Sequence, residues 1–330
     1  MAWSDRIGRR FKLRDLHILL AVVQSGSMGK AAAQLSTSQP VISKAVSDME
    51  HALGVRLLDR SRRGVELTTY GSAVIKRGAA VFDELRECVK EIEFLADPTA
   101  GEIKIGGNEA FIAGPLAAVF DQLRRRYPGI TVHTTNLAVP AQQYRELRER
   151  KVDLILGRIP SPIERDVEIE IWFQNRLHVV AGLQSRWSRR RKMKLADLTH
   201  EPWGLPPPDS LFGSLVANAF RASGIEPPRR GVATGSIHLL NALLATGPYL
   251  AVVSDTILRL SPNLPPLKVL PVTLPVPPWP VGIMTLKNRT HSPVTKLFIE
   301  CAREVVKPLA ARHPSAARSR HLSLQPSRTT

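Results

Sequence analysis

Met28-Gly-Lys-Ala-Ala-Ala-Gln-Leu-Ser-Thr-Ser-Gln-Pro-Val-Ile-Ser-Lys44 reads as two short helices joined by a turn too tight for other structure. Ser27 suits the cap of the first, because its hydroxyl can accept from a backbone N–H that lacks a helical partner. The helix then runs over alanines to Leu35. Ser36, Thr37 and Ser38 carry side chains that compete for backbone groups and so favour a break. Ser38 is the candidate cap of the second helix, with Pro40 in its first turn, where a missing N–H costs little. Ile42, Val46, Met49 and Leu53 recur at intervals of four, three and four residues, which turns one face inward. The opposite face carries Gln39, Ser43, Lys44 and Ser47.

A helix that is polar and cationic at its N-terminal end suits a DNA major groove, where side-chain donors and acceptors meet base edges and lysine meets phosphate. Ser27, Lys30, Ser38, Gln39, Pro40, Ser43, Lys44 and Ser47 are therefore candidate DNA-binding residues. Any solvated helix face has a similar composition, so the assignment leans on the flanking segments. Upstream, residues 14 to 25 form a helix with Leu16, Leu19, Leu20 and Val23 on one stripe, ended by Gly26. Downstream, Val55 to Thr68 reads as strand, turn and strand, a hairpin wing with its turn at Ser61 to Gly64. Arg62 and Arg63 at the tip would lie beside a phosphate or a minor groove, although arginines at a loop tip are commonly just solvated.

From Thr69 to Ala96 there is no proline, and Val74, Gly78, Val81, Leu85, Cys88, Ile92 and Leu95 alternate four and three residues apart. That is a heptad seam. A single helix about 40 Å long at the standard rise cannot bury such a stripe by itself. Pairing with a second copy is the economical solution, and packing on the chain's own domains is the alternative. Val74, Val81, Leu85, Cys88, Ile92 and Leu95 are the candidate dimer seam.

Composition bounds the partners. The chain has 330 residues, 43% of them apolar, and a net charge of +17, which implies an acidic partner such as nucleic acid or an anionic membrane surface. The membrane reading needs a basic helix with bulky apolar residues on its other face, and none stands out. No run reads as a signal peptide or a bilayer span, so a cytoplasmic protein without membrane attachment is expected. Cys88 and Cys301 match no metal or redox spacing, which fits a reducing compartment and no metal site.

Asp97-Pro-Thr-Ala-Gly101 stops the long helix and marks a hinge before an alternation of strands and helices that implies a layered α/β fold. Strands are expected at Glu102 to Gly106, Ile130 to Thr134 and Val152 to Leu156, with helices at Pro115 to Arg126 and Gln142 to Arg150. Leu116, Val119, Phe120 and Leu123 should face inward. A second set follows: strands at Leu177 to Ala181, Trp203 to Leu205, Gly231 to Thr234 and Tyr249 to Val253, with helices at Ser210 to Ser223 and Ser236 to Ala245. Arg186 to Lys194 is a basic loop. Pro262 to Pro280 should wander before a strand at Val281 to Leu286, and Ser292-Pro293 opens a last helix. Residues 309 to 330 read as a basic, disordered tail.

This order resembles the LysR-type transcriptional regulators. The residues that carry the resemblance are Gly26-Ser-Met-Gly-Lys-Ala-Ala, Ser38-Gln-Pro-Val-Ile-Ser-Lys44, Leu53-Gly-Val-Arg-Leu-Leu-Asp-Arg60, Gly64-Val-Glu-Leu-Thr68 and Gly101-Glu-Ile-Lys-Ile-Gly106. The match runs from about Leu13 to Pro308. The resemblance implies an N-terminal winged helix-turn-helix (1–68), a dimerising linker helix (69–96), a hinge (97–101) and a two-lobed α/β effector domain like a periplasmic binding protein (102–308). The chain would cross out near Leu177 to Ala181 and back near Val276 to Val281, so lobe 1 takes 102–176 and 281–308 and lobe 2 takes 177–280. It also implies a homodimer or homotetramer on double-stranded DNA, a small-molecule inducer between the lobes and contact with RNA polymerase. No cofactor is implied. The Pro206 to Ser210 and Thr234 to Ile237 segments resemble a branch associated with sugar or aromatic-acid metabolism.

Within the cleft, Gly107-Asn-Glu-Ala110 joins a strand to a helix start, where free N–H groups favour a polar or anionic ligand. Asn108 is the first choice, with Glu109 and Ala110 beside it. Glu109 stands where the family commonly has small hydroxyl residues, and its carboxylate would oppose a bound anion. Arg158 could clamp a carboxylate bidentately or serve as an interlobe arginine. Ser210 opens one helix of the second lobe and Ser236, with His238 after it, opens the next; for both serines, capping alone is the commoner role. An enzyme is disfavoured, because no HExxH, GxSxG, P-loop or dinucleotide-binding glycine pattern occurs and the nine histidines are scattered. A cytoplasmic small-molecule-binding protein without DNA-directed activity is the stronger rival, opposed by the basic first 68 residues.

Overall fold

The computed structural model describes residues 11–61, 64–260 and 265–311. The chain divides into two compact units, Met1–Val89 and Lys90–Thr330.

In the first unit, α1 (Leu13–Ser25), α2 (Met28–Gln34) and α3 (Gln39–Leu53) precede a hairpin of β1 (Leu58–Ser61) and β2 (Gly64–Leu67). Ser27 caps α2 by accepting from the Lys30 N–H at 3.4 Å. Ser38 occupies the cap position of α3 in extended conformation, but its side chain makes no capping hydrogen bond, contrary to expectation. Pro40 in the first turn already removes one orphan donor. Between the helices Ser36 takes a left-handed φ of 49°, the tight turn that the run of hydroxyl residues implied. The core closes over Ile42, Val46 and Met49, all fully buried. On α1 the buried stripe centres on Leu16, Ile18, Leu19 and Val22, one step away from the expected Leu20 and Val23, which are half-buried. Glu50 accepts from the Leu57 and Leu58 N–H groups at 2.7 and 3.2 Å, which ties the hairpin to α3.

The next helix, α4 (Thr69–Ala96), has the expected span. Its N-terminal half lies on the first unit's own core. A side chain at Gly71 would collide with the Leu57 carbonyl oxygen and one at Gly78 with the Leu16 side chain. Val74 and Ile75 pack on the same core, and His17 meets Phe82 edge-on at 5.7 Å.

The second unit is built on two five-stranded mixed sheets. After β3 (Ala100–Gly107), which begins inside the expected hinge, come α5 (Glu109–Phe111), a π-helical turn at Ile112–Leu116, and α6 (Ala117–Arg126). Helical structure thus starts six residues before Pro115. Asn108 caps it by accepting from the Phe111 N–H, and the wide turn accommodates a proline that has no N–H to give. The buried stripe runs through Leu116, Val119 and Leu123, and Phe120, expected inward, is left 37% exposed at its margin.

Then follow β4 (Gly129–Asn136), α7 (Pro140–Arg148), β5 (Leu154–Arg158) and β6 (Val167–Asn175). The first sheet has the order β4-β3-β5, then a strand from the far end of the chain, then β6. The second lobe holds β7 (Leu177–Gly182), a 3-10 turn at Leu195–Leu198, β8 (Trp203–Leu205), α8 (Leu211–Ala222), β9 (Gly231–Ala233), α9 (Ile237–Ala245), β10 (Leu250–Ser254), α10 (Asp255–Leu260) and β11 (Leu267–Val269). Its sheet is ordered β11-β7-β10-β8-β9. The segment expected to wander from Pro262 to Pro280 instead supplies β11, because β7 offers a free edge to which Leu267–Val269 pairs antiparallel. The chain returns in β12 (Trp279–Leu286), inserted antiparallel between β5 and β6, and ends in α11 (Pro293–Ala311). Ser292 caps α11 by accepting from the Thr295 N–H at 3.1 Å. That helix extends into the segment expected to be a disordered tail, whose residues from 312 onward lie outside the described ones.

Candidate functional site

Two surfaces gather the candidate residues. On the first unit, the exposed side of α3 presents Gln39, Pro40, Lys44 and Ser47, with Ser43 half-buried and Ser38 exposed just before it. Lys30, on α2, is also exposed, and Gly29 sits so close to Gln39 that an added Cβ would lie 3.5 Å from its Oε1. The close approach brings the α2 N-terminus beside the α3 N-terminus. Arg62 and Arg63 lie outside the described residues.

The expected seam on α4 splits in two. Val74 is half-buried against the first unit's own core and Gly78 is buried beneath the Leu16 side chain. Val81, Leu85, Ile92 and Leu95 are 42, 44, 61 and 74% exposed, Cys88 is exposed as well, and Val89 adds a further exposed apolar side chain. In the C-terminal half of α4 the apolar stripe therefore faces outward.

In the second unit a cavity of about 340 Å³ opens between the two sheets' helices. From the first lobe it receives Asn108, Glu109 and Ala110 at the start of α5, and Arg158 at the end of β5. From the second it receives Ser210 before α8 and Ser236 before α9. His238 does not line it: α9 turns Ile237 and Leu240 inward, and a step of about 100° per residue leaves His238 exposed on the other side.

Both serines act as caps. Ser210 Oγ accepts from the Gly213 N–H at 2.9 Å while donating to the Pro207 carbonyl at 2.7 Å, and Ser236 Oγ accepts from the Leu239 N–H at 3.3 Å. The Arg158 guanidinium stacks over Trp279, 5.9 Å from the ring centroid, and has no ion pair or side-chain hydrogen bond among the described residues. Burial holds its pKa below the ordinary arginine value, the signature of a cation partly removed from water.

The cavity also uses residues that the sequence did not single out: Asn136, Gln143, Asn175, Phe212, Ser254 and Trp279. Asn175, 1% exposed, ends β6 and clasps Thr256 at the start of α10, donating to its Oγ1 at 3.0 Å and accepting from its N–H at 3.2 Å. This bracket crosses the junction between the lobes. Phe212 and Trp279 lie near each other with their rings tilted by 59°, centroids 6.5 Å apart. The alternation of Val167, Ile169 and Ile171 with Glu168 and Glu170 was a legible strand signal for β6. Nothing local marks Asn136 or Gln143.

Among the described residues no helix is long and apolar enough to cross a membrane, and no cluster of three or more His, Cys, Asp or Glu side chains is placed to hold a metal ion.

Comparison with known proteins follows the same division. A family model described as "Bacterial regulatory helix-turn-helix protein, lysR family" matches residues 13–72, and one described as "LysR substrate binding domain" matches 96–307. The HTH-type transcriptional regulator GbpR of Azospirillum brasilense is 28% identical over 301 residues, covering 89% of this chain and 86% of its own. The regulator TfdS of Cupriavidus pinatubonensis is 26% identical over 294 residues, covering 88% and 98%. Among solved structures, full-length CbnR complexed with its target DNA has a TM-score of 0.50 at 25% identity, covering 90% of this chain and 100% of that one. Full-length OxyR from Pseudomonas aeruginosa has a TM-score of 0.62 at 20% identity, covering 90% and 97%.

Proposed function

The chain belongs to the LysR family of transcriptional regulators, and from that premise we propose how its surfaces divide the work. It is a DNA-binding regulator with an effector-binding domain. In our reading residues 1–68 hold the duplex, with Gln39, Ser43 and Lys44 reaching base edges and phosphates, Ser27, Lys30, Ser38, Pro40 and Ser47 framing them, and Arg62 and Arg63 serving the wing. The outward stripe Val81, Leu85, Cys88, Ile92 and Leu95 joins two copies, so that two α3 helices meet two half-sites of a pseudo-palindrome. The inducer occupies the interlobe cavity of residues 102–308, contacting Asn108, Glu109, Ala110, Arg158, Ser210 and Ser236.

The observation that carries the inducer reading is the cavity itself, lined from both lobes and containing an unpaired, partly desolvated guanidinium. Arg158 suits a bidentate hold on a carboxylate, so the inducer is an organic acid, with sugar acids and aromatic acids both admissible. Binding there changes the relation of the lobes, because each lobe supplies part of the wall, and so changes the spacing of the two DNA-reading ends and their contact with RNA polymerase. The protein works in the cytoplasm, where its DNA target lies. Its relatives are transcriptional regulators rather than enzymes, and we assign this chain no catalytic step. The basic loop Arg186 to Lys194 adds nonspecific attraction to DNA.

A genome-wide footprint of the bound protein tests this reading. It should return paired half-sites with a common spacing upstream of a small gene set. Protein that binds no fragment in preference to bulk DNA would overturn it.

A further inference from the structure

At the start of α9 the protein has placed a carboxylate of its own. Glu109, on α5 in the first lobe, accepts a hydrogen bond through Oε1 from the Ile237 N–H, the first amide of α9 in the second lobe, at 3.3 Å across 128 residues of sequence. The neighbouring amides are also engaged. The Ser236 N–H donates to Thr234 Oγ1 at 3.0 Å and the Leu239 N–H to Ser236 Oγ at 3.3 Å, which leaves only the His238 amide of that turn without a partner among the described residues. Glu109 is held there from both ends: Asn108 caps α5 from within the first lobe, and Ala110 packs into the second lobe's cluster of Val180, Ile237 and Leu244.

Resting on the reading of this cavity as the inducer site, we propose that Glu109 is its specificity-determining residue. It selects a small organic acid that also carries hydroxyl or ammonium donors, and rejects acids that carry none. A ligand carboxylate at α9 would have to displace Glu109 from an amide that it neutralises, and would then lie beside a like charge in a partly dehydrated space. The same carboxylate keeps lone pairs free for donors, since one N–H satisfies only a fraction of its acceptor capacity. The cavity's cation is Arg158, which lies on a different element and has no acidic partner among the described residues. The ligand's acid group therefore belongs at Arg158 and its donors at Glu109. Hydroxy acids and amino acids share this chemistry.

Calorimetric titration of the full-length protein tests the proposal with four probes of similar length: gluconate, norleucine, hexanoate and sorbitol. Gluconate or norleucine should bind at least roughly tenfold more tightly than hexanoate, because a donor-free chain leaves the Glu109 carboxylate dehydrated and unanswered; sorbitol, which has donors but no acid, should also lag. Which of the two acids prevails identifies hydroxyl or ammonium as the donor. Glu109→Gln keeps the acceptor for Ile237 but loses the charge, and should narrow the preference over hexanoate by roughly tenfold. Hexanoate binding as tightly as both donor-bearing acids, no detectable binding of either of those acids at millimolar concentration, or a preference unchanged by Glu109→Gln would each overturn the proposal. Thr234→Trp, which fills the cavity, separates the two readings. Binding that survives it refutes the cavity as the inducer site, whereas binding that it abolishes together with an unaltered preference in Glu109→Gln refutes only the role of Glu109.

Discussion

Ile92→Ala should weaken self-association by one to two orders of magnitude and leave the fold of each copy intact. Ile92 is 61% exposed in the single chain, on the outward stripe that also contains Leu85 and Leu95. Fully burying an isoleucine side chain stabilises by about 2.5 kcal/mol, so covering its exposed part in a dimer is worth about 1.5 kcal/mol per copy. Alanine retains roughly a third of that side chain, which leaves a loss of about 1 kcal/mol per copy and about 2 kcal/mol per symmetric dimer, or roughly a thirtyfold increase in the dissociation constant. Because the side chain projects into solvent in the isolated chain, the stability of the monomeric form should change by less than about 0.5 kcal/mol. Sedimentation velocity over a dilution series reads the dimer constant, and circular dichroism reads the fold. A paired-site duplex should lose affinity while a single half-site does not. A dimer constant unchanged within a factor of about two, with the fold intact, would show that the stripe is not the interface.

Three further outcomes follow from the geometry. Lys44→Ala, at an exposed position of α3, should weaken binding to all duplexes about equally and reduce the slope of log affinity against log salt by about 0.9 if its ammonium neutralises one phosphate, measured by titration at several salt concentrations. Arg289→Ala should destabilise the second unit by about 3 kcal/mol and lower its melting temperature by roughly 6–12 °C in calorimetry; Arg289 and Asp153 are both buried and joined at 2.8 Å, and the nearby Lys90, 3.9 Å from Asp153, keeps the loss at the lower end. His291→Gln should flatten the acid-side fall of stability: burial first, and the Arg289 charge second, hold its imidazole below the ordinary value. The folded state then resists protonation that the unfolded state accepts, so this contribution is present above about pH 6.5 and is lost as pH falls through the lower folded value, a decline that melting curves between about pH 7 and 5 would register.

Short-range pattern explains why so much was legible. The helix-turn-helix is written in intervals of three and four residues and in caps within one turn, so α2 and α3 appear nearly as read, and α4 matches its proline-free span end to end. The residues at the starts of α5, α8 and α9 were also recognisable, since a cap is a local hydrogen bond between neighbours. Ser38 shows the limit of that reasoning, because the residue type was right for a cap and its side chain makes no capping bond.

From its order of residues alone, this protein reads as a helix-turn-helix with a hairpin wing, a long amphipathic helix and a layered α/β region, because periodicity, caps and breakers act within a few residues of one another, whereas the division of that region into two lobes followed from its resemblance to the LysR-type regulators. Tertiary structure decided the rest. It set which half of the α4 stripe is consumed by the first unit's own core, since that depends on Leu16 meeting Gly78 across 62 residues, the difference of their numbers. It made a strand of Leu267–Val269 because β7 had an unpaired edge. It also brought Glu109 to the amide of Ile237, a hydrogen bond no local pattern encodes, because only the packing of one lobe on the other defines the distance between them.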